Sequence, residues 1–105
     1  MLIVPSADRP DVFAVNVFRV RPEHQRPLVE CIRDAGDPAG IPGLLSMHLL
    51  CSEDGTQVTN FMHWAGKEAL EAATARNPVI KATRTAIRRF VEGPEPYRVV
   101  DVKRR

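Results

Sequence analysis

Cysteine is scarce in this chain. Only Cys31 and Cys51 occur among its 105 residues, with no CxxC pair between them. Both lie in apolar context and read as small core residues rather than redox or staple partners. No apolar run approaches the length of a membrane span. The opening Met1-Leu2-Ile3-Val4 is broken at once by Pro5, which leaves no apolar core for a signal peptide. The expectation is a reduced, cytoplasmic protein with no membrane partner. Charge of neither sign dominates: the formal net charge is +2. Basic residues gather only at Arg84, Arg88 and Arg89 and in the tail at 103–105, so a nucleic-acid partner is not expected. The three histidines show no HxH or HxxxH spacing, and no metal site is predicted. A nucleophile elbow, a phosphate-binding glycine loop and a facing carboxylate pair are also missing.

What is present suits one modest domain. Residues 1–11 carry Pro5, Asp8, Pro10 and Asp11 and read as an N-terminal arm. Residues 12–20 are rich in Val and Phe without helical period, which predicts a strand buried on both faces. Arg21-Pro22-Glu23 reads as a turn. Leu28, Val29, Ile32 and Ala35 then recur at helical spacing. Because proline fits only the first helical turn, this helix should begin just before Pro27 and close at Gly36. Residues 44–51 and 57–65 read as strands joined by the hairpin signal Asp54-Gly55. A short helix follows over 66–76, with Ala69, Leu70 and Ala73 inward. Asn77-Pro78 reads as an N-cap followed by proline at the first helical position. It opens a helix to about Val91 with a stripe of Ile80, Thr83, Ile87 and Val91. Residues 97–102 read as a last strand, and 103–105 form a basic tail.

The order β-α-β-β-α-α-β predicts an α+β, ferredoxin-like split βαβ domain over 12–102, with a four-stranded antiparallel sheet. Helices cover one face of such a sheet. The other carries Thr59, Phe61 and His63, and leaving it in water is costly. A second copy of the chain, packed sheet to sheet about a two-fold axis, is the expected cover.

The segment Val58-Thr59-Asn60-Phe61-Met62-His63-Trp64 is the most informative. On a strand, Asn60 and Trp64 share a face with Met62 between them. Trp64 is the only tryptophan. Its indole N–H and the Asn60 amide need partners once buried, supplied either by the protein or by a ligand. Arg84 follows Ile80 by four and precedes Ile87 by three, so it borders the buried stripe. There it either pairs with a ligand anion or lies along the surface with its head in water. Asn16 stands mid-strand, where Asn is depleted; it either joins the site or holds neighbouring backbone. Leu45, Met47, Met62 and Ile80 are the expected apolar lining. His63 has opposite parity to Asn60 and Trp64 and should face the dimer seam. The facing of His48 depends on hairpin register.

Asn16-Val17-Phe18, Arg21-Pro22-Glu23, Asp54-Gly55-Thr56, Asn60-Phe61-Met62-His63-Trp64 and Lys67-Glu68-Ala69 together resemble the antibiotic biosynthesis monooxygenase domain, from about Val12 to about Val102. The resemblance implies a dimeric α+β barrel. It also implies, for the quinone-forming members, a cofactor-independent reaction of O2 with an anthrone-type aromatic phenol. Asn60, Trp64 and Arg84 match those members' site residues. Their Tyr and His positions correspond to Leu70 and Leu50 here. The haem-degrading members carry a His on the helix after the Trp, and residues 67–76 contain none. The same frame also hosts isomerases and non-catalytic ligand-binding dimers.

Overall fold

A computed structural model describes residues 1–5, 9–35 and 38–98. Four strands form one antiparallel sheet: β1 (Leu2–Pro5), β2 (Val12–Arg19), β3 (Leu44–Cys51) and β4 (Gln57–Trp64), in the order β1-β2-β4-β3. Among the described residues three α-helices accompany it: α1 (Pro22–Asp34), α2 (Lys67–Arg76) and α3 (Pro78–Ile87). β4 lies between β2 and β3, which α1 connects, so the split βαβ topology and the α+β class are present.

The fourth strand is not the expected one. Residues 2–5, read from sequence as part of an arm, pair with β2 from Leu2↔Val15 to Pro5↔Val12. Pro5 sits at the strand end on an edge strand, where a missing donor is tolerated. Tyr97 and Arg98 are not in a strand. The rest of the predicted last strand lies outside the described residues, as does Gly36.

α1 begins at Pro22 rather than near Pro27. Pro22 takes the first helical position, where its fixed φ is already helical and no N–H is required. Pro27 lies inside the helix, which continues through it without the bond that an N–H there would make. The start of α1 is held against the β3–β4 hairpin. Gln25 Nε2 donates to the carbonyls of Ser52 and Gln57, each at 3.0 Å. Gly55 takes φ of +80° in the turn, and a Cβ there would lie 3.2 Å from Pro22 Cβ. α3 is capped as the sequence predicts: Asn77 Oδ1 accepts from Val79 N at 2.9 Å and Ile80 N at 3.2 Å. It ends at Ile87, one turn short of the expected limit.

The helices pack on one sheet face and form two clusters there. One joins Val12, Ala14, Met62 and Trp64 to Leu70 and Ala73 of α2. The other joins Val20 and Val58 to Leu28 and Ile32 of α1 and Ile87 of α3. The opposite face is bare of helices. Phe13, Val15, Phe61 and His63 project from it half-buried, although Val17 on the same face is buried, so β2 is closed mainly on one side. Phe13 packs on Phe61 with ring centroids 5.2 Å apart and stacks on His63 at 4.4 Å. His63 Nε2 lies 2.6 Å from Asp11 Oδ2. Cys31 is half-buried, and Cys51, read as a core residue, is exposed at the end of β3. No helix of the described residues is long and apolar enough to cross a membrane.

Candidate functional site

β4 alternates in burial along its whole length, with Val58, Asn60, Met62 and Trp64 turned to the helices. Pairing extends this face in both directions. Asn16 of β2 lies opposite Asn60. Met47 of β3 lies opposite Met62. Between this wall and the helices is a cavity of about 400 Å³, within the roughly 300–1,000 Å³ typical of small-molecule sites. It is lined by members of both clusters: Met62, Trp64 and Leu70 from one, Ile32 and Ile87 from the other.

Asn60, Trp64, Arg84, Asn16, Met47, Met62 and Ile80 all line this cavity. Leu45 does not; it is 58% exposed. The register of β3 against β4 shifts between Leu44 and Ser46: Leu44 lies opposite Trp64, yet Ser46 lies opposite His63. One extra residue is accommodated there, and the face reverses. Leu44 therefore lines the cavity in place of Leu45. Two further lining residues, Thr83 and Thr74, have helical spacing as their signal. Thr83 belongs to the α3 stripe, and Thr74 stands one turn after Leu70 in α2. Glu95 also lines the cavity and follows α3 in a segment without regular structure, where no periodicity marks it. His48 lies opposite Phe61, and so belongs to the bare face with His63.

Two polar atoms on the cavity wall, Asn60 Oδ1 and Trp64 Nε1, are buried without a hydrogen-bond partner among the described residues. Leaving such an atom unsatisfied costs about 1–3 kcal/mol each. The side chains are 9% and 1% exposed, so bulk water does not compensate them. One is an acceptor and the other a donor only, and rotation about the terminal torsion of Asn60 can bring its N–H donors to bear instead. On the helix side, Thr83 Oγ1 donates to Val79 O at 2.8 Å, which leaves its oxygen free to accept. Arg84 is exposed and, among the described residues, makes a single long contact, Nη2 to Thr74 O at 3.5 Å. An apolar enclosure with buried hydrogen-bonding groups in its wall and an exposed cation among its lining residues suits a mostly apolar molecule with a few polar groups.

A one-faced antiparallel sheet whose helices enclose such a cavity defines an α+β domain with a cavity of small-molecule size between its layers. Residues 11–98 match the family model "Antibiotic biosynthesis monooxygenase", and the chain belongs to that family. Among solved structures it is similar to Rv0793 from Mycobacterium tuberculosis, at 20% identity and a TM-score of 0.68 over 80% of this chain and 86% of that one. It is similar to SnoaB, a cofactor-independent oxygenase from Streptomyces nogalater, at 23% identity and a TM-score of 0.63, covering 79% and 85%. It is also similar to SO0527 from Shewanella oneidensis, at 16% identity and a TM-score of 0.70, covering 84% and 87%. At these identities the likeness establishes the fold. A search of the curated proteins finds no significant sequence match.

Proposed function

We propose that the protein is a cofactor-independent monooxygenase that oxidises an anthrone-type aromatic phenol to a quinone with O2, working as a homodimer. The observation that carries this reading is the unpartnered pair Asn60 Oδ1 and Trp64 Nε1 on the wall of an apolar cavity. Membership of a monooxygenase family and similarity to an oxygenase described as cofactor-independent support it.

The chemistry asks little of the protein beyond binding and electrostatics. An anthrone that has lost a proton from its central methylene is electron-rich enough to pass one electron to O2. The carbon radical and superoxide combine into a carbon–oxygen bond, and the peroxide takes up a proton. Loss of the second methylene proton with cleavage of the O–O bond releases water and leaves the new carbonyl, so one O2 yields one quinone oxygen and one water. Negative charge is on oxygen in the bound anion and in the peroxide. Preset donors at those positions lower the barrier. The amide of Asn60 and the indole N–H of Trp64 are the donors proposed for that role, with Asn16 beside them. The guanidinium of Arg84 favours the anionic form of the bound phenol. The apolar lining from Met47, Met62 and Ile80 excludes water and holds the rings against O2.

The dimer rests on the bare sheet face. Phe13, Val15 and Phe61 form an apolar surface there, and an isologous partner would remove it from water.

The direct test is oxygen uptake by metal-free protein with dithranol and emodin anthrone. Acceleration over buffer that is lost in Asn60→Ala and in Trp64→Phe is the expected result. No acceleration with either substrate would overturn the assignment. A tight haem complex with a Soret shift would redirect it to haem chemistry.

A further inference from the structure

The proposed oxidation moves both methylene protons of the substrate, and each needs a base that reaches the cavity. Among the described lining residues, only Arg84 and Glu95 have ionisable side chains. A guanidinium cannot serve, because it keeps its proton in a protein. The histidines stand elsewhere: His48 and His63 belong to the other sheet face, and His24 packs on Phe90, with ring centroids 5.5 Å apart. Glu95 is therefore the one proton acceptor that the described residues bring to this cavity.

Its position is set by ties on either side of it. Glu92 N donates to Arg19 O at 2.7 Å, at the end of β2, and Glu92 Oε1 accepts from Arg21 Nε at 2.7 Å. Gly93 then turns the chain with φ of +69°. Further on, the Tyr97 hydroxyl accepts from Gln57 Nε2 at 3.2 Å, at the start of β4. Between these ties Glu95 is half-buried, and its Oε1 pairs with the amino group of Met1. Met1 locates the carboxylate. It lines the cavity and stands one residue beyond the Leu2↔Val15 pair, at the level of Asn16. Asn16 in turn lies opposite Asn60. The carboxylate is thus on the β1 side of the cavity, level with the two carboxamides proposed to meet the substrate's oxygens. Its pairing with Met1 engages one oxygen, and an ionised carboxylate has two, each able to accept.

We propose that Glu95 is the general base of this site. This deepens the reading of the cavity as an aromatic-oxidation site and rests on it. The carboxylate takes one proton from the central methylene, and the electron pair of that C–H bond stays on the ring system as the conjugated anion. Once the anion and O2 have joined, the carboxylic acid returns the proton to the terminal peroxide oxygen. The carboxylate then takes the second methylene proton. The electron pair of that C–H bond becomes the π bond of the new carbonyl as the O–O bond breaks. The departing hydroxide recovers the proton from the acid and leaves as water. Glu95 ends as it began, and O2 is the only oxidant consumed.

The experiment follows oxygen uptake with dithranol, corrected for the buffer reaction. Glu95→Gln, which keeps the shape and removes the base, should lower the rate about 10²- to 10³-fold, within the range for general-base catalysis. Anthraquinone, which has no methylene proton to lose, should still quench Trp64, the sole tryptophan, with unchanged affinity. The residual rate should rise about tenfold per pH unit, because hydroxide must then remove the proton. Acetate should restore activity to Glu95→Ala in proportion to its concentration. Glu92→Gln, which loosens the same segment away from the cavity, should keep the full rate. An unchanged rate in Glu95→Gln would overturn the proposal. So would weakened anthraquinone binding, or a loss of rate that Glu92→Gln shares or that acetate fails to restore, since Glu95 would then only hold the segment in place. The oxidation reading would stand in each of those cases. No oxygen uptake by the unmodified protein would remove that reading, and this proposal with it.

Discussion

Asn16 and Asn60 stand directly opposite each other across the β2–β4 ladder, and both line the cavity. Two carboxamides side by side on an otherwise apolar wall are poor sheet-builders. Asn60 in particular leaves its oxygen unpartnered. Stability and function should therefore separate here. Asn60→Leu, which removes the orphan atom at similar volume, is expected to leave the melting temperature unchanged or raised. It should lower the rate of anthrone-dependent oxygen uptake about 10²-fold, the order seen when one preset oxyanion donor is lost. Thermal melts and oxygen electrode traces on the same preparation check both halves.

Asn77 caps the helix that carries Ile80, Thr83 and Arg84, through bonds to two backbone amides. Asn77→Ala should cost about 1 kcal/mol in urea unfolding, within the usual range for a lost cap. The effect should be partly reversed by Asn77→Ser, whose hydroxyl can accept the same bonds.

Gly43 lies just before β3 with φ of +85°, and a Cβ at that position would meet Ala69 Cβ at 2.4 Å. Both the backbone conformation and the close approach to α2 require glycine. Gly43→Ala should destabilise by about 1–3 kcal/mol. Adding Ala69→Gly relieves the clash but not the backbone strain, so the double variant should recover only part of the loss. A double-mutant cycle by denaturant titration measures the two contributions apart.

Asp54 sets the β3–β4 turn. Its Oδ1 accepts from Thr56 Oγ1 at 2.7 Å, Thr56 N at 3.0 Å and Ser52 Oγ at 2.8 Å. The Thr56 hydroxyl first, then the Thr56 amide and the Ser52 hydroxyl, hold the carboxyl below its ordinary value. A depressed folded value means that the contribution is complete above the ordinary carboxylate range. It is lost as the pH falls through the lowered value. Asp54→Ala should thus be less stable than the unmodified protein near neutrality, and the gap should close in acid. Melting curves across the acid limb test the sign.

The bare face predicts an assembly. Light scattering should give twice the chain mass of 11.7 kDa, and Phe61→Glu should yield the monomer by placing a charge among Phe13 and Val15. A monomer in the unmodified protein would remove the sheet-to-sheet dimer.

Much of this was legible in the sequence because it follows from local rules. The Asp54-Gly55 hairpin, the Asn77-Pro78 start of α3 and the alternation of β4 each depend on residues within one turn or one strand. The cavity face followed from the parity of Asn60 and Trp64 alone. Four features were not legible, each for its own reason. The pairing of residues 2–5 with β2 is tertiary, and Pro5 masks it. The start of α1 was misplaced because Pro27 was expected at a helix start, whereas Pro22 occupies that role. Leu45 was assigned to the lining on strict alternation, which a single extra residue defeats. Glu95 reached the cavity through an irregular segment that no pattern describes.

That extra residue between Leu44 and Ser46 divides β3 into two stretches that read their faces in opposite phase. The cavity end beside Trp64 is tuned by the first stretch, and the end beside Met62 by the second. Loss or gain of one residue at this point would exchange Leu44 and Leu45 while leaving Met47, His48 and the hairpin in place. The width of the pocket against the indole can thus vary among relatives by a change in length, with no substitution in any residue that lines it.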